Sequence, residues 1–368
     1  MDLSIIILNY NAAAFLELCL DSVLRATKNL DSEVIVVDNN STDSSLQMLH
    51  FVFPQVKVIA NDENVGFSRG NNIGVQHAQG EYLCILNPDT IVGETVFDEV
   101  HAFAKANSQI AFTTTQLIDG TGAFLPESKR NVPNPKIARQ KILGNDSNYY
   151  ANHLKKDENG EIEVLVGAMM YVKKEVYLEL GGFDPMYFMY GEDIDLSYTA
   201  LQQGYKNYYL GSQQVIHFKG ESTVKDKKYI ERFYGAMGLF YDKHFKKSKL
   251  EKALVDLALK GIIVTKSMEI NQTDRDLERY QVLVTNDTAL KLSGFKEQFT
   301  FEGLIEKELP LEIQIVWDTP SLAYKDIIAF MSQNKGKKWT YRFINSKRDF
   351  MLGSDNSTSR GVIKPLKM

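Results

Sequence analysis

The sequence predicts an α/β protein in which a mostly parallel sheet, flanked by helices, is followed by a smaller C-terminal α/β unit. Two observations lead to this prediction. Over the first quarter of the chain, short β-branched apolar runs alternate with segments of helical periodicity, a pattern typical of parallel sheets covered by helices. With 368 residues, the chain is also long enough to bury two cores.

The first four predicted strands are short apolar runs at residues 3–8, 33–37, 56–60 and 82–86. A helical pattern follows each of the first three, and the third helix runs through Gln79. Ligands of such sheets bind at the carboxyl ends of the strands, where this chain places polar or acidic side chains. These side chains are Asn9, Asp38, Asn39, Asn61, Asn87 and Asp89.

The middle of the chain is first irregular and then regular. Residues 120–160 are rich in proline and charge, so we expect an irregular excursion over the site, as long loops often form. A strand is predicted at 164–172, and helices at 174–180 and 193–203 both end at glycines. A further strand at 215–218 contains His217.

Composition argues against several classes of protein. The formal net charge of −5 gives no reason to expect a nucleic-acid partner. Cys19 and Cys84 both lie in apolar segments, which predicts reduced thiols in a reducing compartment. The N-terminus lacks the basic region of a signal peptide, and no apolar run reaches the length of about 18 residues that spans a membrane. We therefore expect a cytoplasmic protein.

The usual nucleotide-binding motifs are absent from the sequence. The segment NVGFSRGNNIG carries Gly66, Gly70 and Gly74 at intervals of four, which matches neither G-x-G-x-x-G nor a P-loop. Asp38 alone is weak evidence for a nucleotide, since Asp also begins turns and caps helices. A hydride-transfer or P-loop function is therefore not supported.

The segment MYGEDIDLSY places Glu192, Asp193 and Asp195 close together, and two interpretations stay open. The first turn of a helix favours acids by roughly 0.3–1 kcal/mol each. Alternatively, the aromatic residues from Tyr187 to Tyr190 predict partial burial, which raises the proton affinity of a carboxylate and suits it to general-base work.

An ordered set of motifs in the chain resembles the inverting family 2 glycosyltransferases, and most of all their rhamnosyltransferase-like branch. The motifs are SIIILNYN, VIVVDNNSTDSS, ENVGFSRGNNIG, LNPDT, GAMMYV, GGFDPMYFMYGEDIDLSYTALQQGY and VIHFKGEST. The resemblance covers residues 1–245 and implies a GT-A fold. It also implies transfer of one sugar, with rhamnose as a candidate, from a nucleoside-diphosphate donor to a cell-surface polysaccharide or polyprenyl-linked glycan.

The resemblance assigns roles to particular residues. Asp193 would be the general base. Glu192 and Asp195 would support it by positioning the acceptor, capping the helix or pairing with a nearby cation, with Glu192 as the neighbour at the acceptor and Asp195 closest to an ordinary acid at the helix start. Asp89 and His217 would hold a divalent metal, Mg²⁺ or Mn²⁺, although Asn87-Pro88-Asp89 supplies one carboxylate fewer than the D-x-D of many such enzymes. The donor would be bound by Asn9, Tyr10, Asp38, Asn40, Asn64, Gly66, Phe67, Arg69, Asn72 and Asn87.

Residues 219–252 are basic, with ten Lys or Arg against five Asp or Glu, and apolar residues recur at helical spacing from Ile230 to Tyr241. One interpretation is a helix packed on the catalytic domain with a solvated basic face. The other is a peripheral contact with anionic lipid at the inner face of a membrane. Residues 246–275 are expected to form a helical linker.

The C-terminal unit at 276–368 is predicted to be separate from the first. Its strands are expected at 281–285, 312–317 and 339–344, its helices at 296–309 and 321–334, and a loosely ordered tail from 353. Acceptor recognition, partner docking and homo-oligomer formation all remain open as roles for this unit.

Two other functions compete with glycosyl transfer. A non-catalytic glycan- or nucleotide-binding protein could retain the same fold, but it would have no chemical reason to keep both Asp89 and Asp193. A nucleotidyltransferase would need a glycine-rich, basic phosphate loop after Leu8, which this sequence lacks.

Overall fold

The computed structural model describes residues 1–142, 144–219, 227–245, 280–356 and 361–366. These residues form two sheets with helices packed against them. The linker predicted at 246–275 lies outside the described residues.

The first sheet contains nine strands within the described residues. They are β1 (Leu3–Asn9), β2 (Ser32–Asp38), β3 (Lys57–Ala60), β4 (Tyr82–Leu86), β5 (Thr90–Val92), β6 (Ile110–Ile118), β7 (Gly160–Ile162), β8 (Met169–Lys173) and β9 (Lys206–His217). The strand order is β3-β2-β1-β4-β8-β6-β9-β5, with β7 beside β9. Strands β3, β2, β1 and β4 are parallel, whereas β8 is antiparallel to both of its neighbours. The predicted α/β architecture is confirmed.

Helices cover both faces of this sheet. They are α1 (Ala13–Ala26), α2 (Ser45–Val52), α3 (Phe67–Gln76), α4 (Val96–Ala106), α5 (Pro135–Ile142), α6 (Lys174–Glu179), α7 (Glu192–Gln202) and α8 (Lys227–His244). In β1, Ile5 and Ile7 face the cluster formed with α1, α2 and α4, while Ile6 faces the cluster with α3, α6 and α7. A strand buried on both faces reads as a continuous apolar run, and for this reason β1 was predictable.

Several parts of this sheet differ from the sequence prediction. Strands β5 and β7 were not predicted, β8 begins later than the strand predicted at 164–172, and β9 begins well before the strand predicted at 215–218. Strand β6 was not predicted, because the polar run Thr113 to Thr115 interrupts its apolar pattern, yet all three threonines are buried. The segment 120–160 is largely irregular, as expected, but it contains α5 and a 3₁₀ turn at Pro126–Ser128. Backbone bridges from Arg130 to Tyr150 and Val164 fasten the segment to the rest of the fold.

The second sheet has the order β11-β10-β12-β13-β14-β15. Its strands are β10 (Tyr280–Val284), β11 (Glu297–Phe299), β12 (Ile313–Asp318), β13 (Thr340–Ile344), β14 (Phe350–Gly353) and β15 (Val362–Pro365), and its helices are α9 (Phe301–Ile305) and α10 (Tyr324–Gln333). The prediction of a helix at 296–309 was mostly wrong, because β11 occupies the start of this range and α9 covers only Phe301–Ile305. The expectation of a loosely ordered tail was wrong for β15, which pairs with β14.

The two sheets share a hydrophobic cluster. Phe218, which directly follows β9, packs between Phe15 of α1 and Phe343 of β13, with ring centroids 5.2 Å and 5.6 Å apart. A buried hydrogen bond of 2.8 Å from Asn345 Nδ2 to Glu17 Oε1 also crosses between them. The C-terminal unit was expected to be separate, but it packs directly against the end of the strand that carries His217.

Candidate active site

A cavity of about 330 Å³ lies where β4 and β9 end and β8 begins. Six of the predicted site residues line it, namely Phe67, Asn87, Asp89, Glu192, Asp193 and His217. The cavity is also lined by six residues with polar or charged side chains that were not predicted from the sequence, namely Glu127, Arg130, Lys141, Tyr149, Tyr150 and Lys219. The structure thus brings the predicted metal ligands and the predicted base to one cavity.

Asp89 and His217 are held together by the pairing of β5 with β9. Thr90 lies opposite His217 in the register, and Phe218 N donates to Asp89 O at 3.0 Å. Both side chains are buried, with 3.4 Å between His217 Nε2 and Asp89 Oδ1. Asp89 Oδ1 and His217 Nδ1 have no hydrogen-bond partner within the described residues.

Buried polar atoms without a partner call for a ligand or ion. Carboxylate oxygen and imidazole nitrogen both suit divalent metals such as Mn²⁺. Among the described residues, no cluster of three His, Cys, Asp or Glu side chains provides a complete ligand set. The Asp89–His217 pair therefore fits an ion that takes its other ligands from a phosphate group and water, as Mg²⁺ often does.

The backbone before α7 adopts two successive left-handed conformations. Tyr190 has φ of 72° and Gly191 has φ of 82°. The φ of Gly191 favours glycine, and a Cβ atom there would lie 3.2 Å from the Tyr187 ring, which would have to shift slightly to accommodate it. This turn starts α7 at Glu192 and places the first carboxylates of the helix at the cavity.

Asp193 is buried and held by three donors. Arg130 Nη2 donates to its Oδ2 at 2.6 Å, and Gly167 N donates to the same oxygen at 3.1 Å. The backbone N–H of Ile194 donates to Oδ1 at 2.8 Å. The carboxylate is therefore fixed in orientation, and Oδ1 is the less engaged of its two oxygens.

Arg130 is a site residue that the sequence reasoning missed. It comes from the irregular segment and lies 63 positions from Asp193, so no local pattern connects the two. Its guanidinium also donates to the carbonyl of Leu165. Burial disfavours the charged form, but Asp193 and Tyr149 together outweigh burial, and the pKa of Arg130 is raised.

Glu192 differs from Asp193 in its electrostatic environment. It is only 5% exposed, and Oε2 has no hydrogen-bond partner in the part of the chain that is described. Burial, followed by the adjacent Asp193 charge, raises the pKa of Glu192 well above its ordinary value. Glu192 therefore lines the cavity as a carboxyl group that keeps its proton to a higher pH than a solvated glutamate does.

Asp195 is the centre of an ion-pair cluster that joins α7 to α8. Lys243 Nζ lies 2.8 Å from Oδ2, and His244 Nε2 lies 2.6 Å from Oδ1. Tyr187 donates its hydroxyl to Oδ1 at 3.2 Å. Asp195 does lie in the first turn of α7, and it also pairs with a cation, one of the supporting roles expected for it. Its partners Lys243 and His244, almost fifty positions later, gave no local signal.

The residues predicted to bind the nucleotide base lie outside this cavity. Asn9 Nδ2 donates to Asp38 Oδ2 at 2.8 Å, and Ser41 N donates to Asp38 Oδ1 at 2.8 Å. Both Asn9 and Asp38 are fully buried, whereas Tyr10 is 39% exposed and Asn40 adopts a left-handed φ of 62°. Contact of these residues with a base stays a prediction.

The loop from Asn64 to Phe67 docks on the aromatic segment before α7. Phe67 N donates to Phe188 O at 2.6 Å, and a Cβ atom at Gly66 would lie only 2.5 Å from that same carbonyl oxygen. Asn64 Oδ1 accepts the Gly66 N–H at 3.0 Å and so fixes the turn. The loop and the aromatic segment that leads into α7 are therefore in direct contact.

Three further predicted donor contacts have different surroundings. Asn72 Nδ2 donates to Phe183 O at 2.7 Å, and its Oδ1 accepts a hydrogen bond from the Tyr177 hydroxyl at 2.7 Å. Both ends of the amide are therefore engaged in hydrogen bonds within the protein. Arg69 is exposed. Asn87 Nδ2 lies 3.4 Å from His217 Nε2, beside the Asp89–His217 pair. A donor contact for each of the three stays a prediction.

Helix α8 forms another wall of the cavity, through Phe233 and Met237. Phe240 and Tyr241 pack against Ile194 of α7, so the described part of this region is a helix packed on the domain, whereas its solvated basic face stays a prediction. A contact of this region with lipid stays a prediction. In the ranges that the structure covers, no helix has both the length and the apolar character needed to cross a bilayer.

Residues 4–181 match the family model described as "Glycosyl transferase family 2". This part of the chain is a family 2 glycosyltransferase domain. Several of the relatives found by sequence are named glycosyltransferases as well, and the protein is an enzyme of this kind.

Two relatives illustrate the range of this glycosyltransferase family. The N-acetylglucosaminyl-diphospho-decaprenol L-rhamnosyltransferase of Mycobacterium tuberculosis is 25% identical over 242 residues, covering 61% of this chain and 78% of the relative. The poly(ribitol-phosphate) beta-glucosyltransferase of Bacillus spizizenii is 25% identical over 275 residues, covering 70% of this chain and 42% of the relative. Among solved structures, S. aureus TarS 1-349 aligns with a TM-score of 0.48 and 18% identity, covering 70% of this chain and 69% of that chain.

Proposed function

We propose that this glycosyltransferase moves one sugar from a nucleoside diphosphate to a hydroxyl of a glycan acceptor, with inversion at the anomeric carbon. The observation that carries the proposal is a single cavity lined by both the Asp89–His217 pair and Asp193. A single displacement needs a group that accepts the acceptor proton and a group that stabilises the leaving diphosphate. The cavity contains candidates for both.

The leaving-group side of the cavity consists of Asp89, His217 and Lys219. Asp89 and His217 would hold a divalent metal, which supplies positive charge to the departing diphosphate when it is bound. Lys219, two positions after His217, pairs with Glu127 on the same wall. Burial opposes ionisation of Glu127, but the charge and the hydrogen bond of Lys219, with smaller contributions, together outweigh burial and lower the pKa of Glu127.

On the acceptor side, Asp193 Oδ1 would take the proton. Oδ2 is occupied by Arg130 and Gly167, whereas Oδ1 accepts only one backbone N–H within the described residues. The acceptor oxygen forms a bond to the anomeric carbon as the bond from that carbon to the diphosphate breaks. The acceptor proton passes to Oδ1, and the two electrons of the broken bond leave with the diphosphate.

The acceptor in our proposal is a polyprenyl-linked or polymeric cell-surface glycan. The names of the two relatives support this class, since one specifies a diphospho-decaprenol and the other a poly(ribitol-phosphate). Rhamnose is one candidate for the transferred sugar, because the first of these relatives is named for it.

A thermal-shift screen of nucleotide sugars, with and without Mn²⁺, tests the donor. A ligand that binds only the native state raises the melting temperature, so the true donor should do so, and more strongly with Mn²⁺. NMR of the transfer product should then show the anomeric configuration opposite to that of the donor. Retention of the anomeric configuration, or no rise in melting temperature with any nucleotide sugar, would contradict the proposal.

A further inference from the structure

Three cationic side chains line the cavity within the described residues, and two of them are paired with carboxylates. Arg130 pairs with Asp193 at 2.6 Å, and Lys219 pairs with Glu127. For Lys141, the structure records no carboxylate within ion-pair distance in the described part of the chain, and its ammonium instead faces aromatic rings.

Lys141 lies in the last turn of α5, and Tyr149 fixes its position. Its Nζ lies 3.1 Å from the centroid of the Tyr149 ring and 5.8 Å from that of Tyr150. Burial lowers the pKa of Lys141, Tyr149 opposes this shift, and the nearby Arg130 charge lowers the pKa further. The rings therefore hold the ammonium at the cavity without neutralising its charge.

The charges on this part of the wall are unbalanced. Arg130 and Lys141 are close enough to repel each other. Asp193 pairs with Arg130, whereas Asp146 acts on Lys141 only from beyond ion-pair distance. An excess of positive charge in a partly closed cavity attracts anions, and lysine is a common point-charge ligand of phosphate. The donor diphosphate is already assigned to Asp89, His217 and Lys219, so this second positive site fits a different anion.

We propose that Lys141, framed by Tyr149 and Tyr150, forms a subsite for a phosphate group attached to the acceptor glycan. This inference rests on the proposed function. It extends that function by requiring an anionic acceptor, with phosphate close to the sugar that receives the transfer. The phosphate could belong to the diphosphate end of a lipid-linked glycan or to a phosphodiester polymer.

Three small probes separate these two sources of phosphate. They are N-acetylglucosamine 1-phosphate, its methyl phosphodiester and the uncharged methyl glycoside. Calorimetry with the full chain would measure their Kd values while Mn²⁺ and the nucleoside diphosphate found in the donor screen saturate the donor site. Both charged probes should bind about tenfold more tightly than the glycoside, the effect of one charge-assisted hydrogen bond. Tighter binding of the monoester than of the diester would indicate a lipid diphosphate. Equal affinity for the two esters would indicate a phosphodiester polymer.

Variants at two lysines of α5 provide the decisive comparison. Lys141→Met should abolish the preference for charged probes, whereas Lys141→Arg should keep it. Lys136→Met removes the same charge from an exposed position of the same helix and should leave the preference unchanged. Melting temperatures of all variants check that they fold.

The subsite is wrong if the native chain shows no preference for charged probes, or if Lys141→Met keeps it. An equal loss in Lys136→Met would also overturn the proposal, because it would indicate a general charge effect. Donor binding is measured in the same samples. An intact donor response without an anion preference overturns this subsite alone, whereas a missing donor response overturns the proposed function.

Discussion

Arg130 Nη2 donates to Asp193 Oδ2 at 2.6 Å and thereby connects the irregular segment after β6 to the first turn of α7. Arg130 is fastened in turn by backbone hydrogen bonds with Val164, at 3.1 Å and 3.0 Å. The orientation of the carboxylate therefore depends on a segment outside the helix that carries it. An arginine fork provides this orientation better than a point charge, since its donors have fixed directions.

Replacing Arg130 with methionine should reduce kcat by about 10²-fold, because a small misplacement of a catalytic group has effects of this size. Donor affinity should change little, since Arg130 contacts Asp193 rather than the Asp89–His217 pair. Arg130→Lys keeps the charge but loses the fork, and should recover only part of kcat. Steady-state kinetics with separate kcat and KM values provide the measurement, and an unchanged kcat in Arg130→Met would show that Asp193 needs no such support.

Asp193→Asn should reduce turnover by about 10²–10⁴-fold, the usual contribution of a general base. The substitution keeps the shape of the side chain, so the donor-induced rise in melting temperature should persist. Asp157→Asn, at an exposed position outside the cavity, is the matched control and should behave like the native chain. Turnover near the native rate in Asp193→Asn would remove Asp193 from the role of base.

Asp89→Ala should weaken donor binding in the presence of Mn²⁺ and leave metal-free binding nearly unchanged. His217→Ala should do the same. If both side chains hold one ion, the double variant should lose little more than either single variant, because their effects are not independent. Calorimetric Kd values with and without Mn²⁺ check this prediction, and equal losses without metal would argue against coordination.

The buried Glu192 makes stability dependent on pH. Because its pKa is raised above the ordinary value of 4.5, the folded chain binds more protons than the unfolded chain once the pH passes that value. The free energy of unfolding should therefore fall as pH rises from 4.5 toward the raised pKa.

Glu192→Gln has no proton to lose and should flatten this dependence. Urea unfolding over a pH series measures the slope, with the exposed Glu306→Gln as control. An identical slope in Glu192→Gln and the native chain would mean that the carboxyl group of Glu192 ionises normally.

Phe343 should influence donor binding from the second sheet. Its ring packs on Phe218, which adjoins His217, so Phe343→Leu should loosen the Asp89–His217 pair and weaken Mn²⁺-dependent donor binding. Met351→Leu alters a buried residue in the other cluster of the same sheet and serves as the control. Donor Kd values should change more for Phe343→Leu than for the control, and equal changes would mean that the second sheet contributes stability alone.

The sequence was sufficient for elements and residues with local signals. Strand β4 was predicted at its observed ends, and the predicted residues Asp89, Asp193 and His217 do meet at one cavity. Residues whose role depends on distant partners were missed. Arg130 and Lys141 lie in a segment without periodicity, and only the folded chain shows what they face.

The left-handed backbone of Tyr190 sets thermal stability against activity at one position. Glycine adopts this conformation freely, so Tyr190→Gly relieves a strain of about 1–2 kcal/mol, partly offset by the extra entropy of the unfolded chain. The same change removes a ring that lines the cavity and packs against Phe233 at 5.8 Å between centroids. Tyr190 therefore keeps a strained backbone together with the ring that it contributes to the cavity wall, a combination often found where a functional site retains local strain.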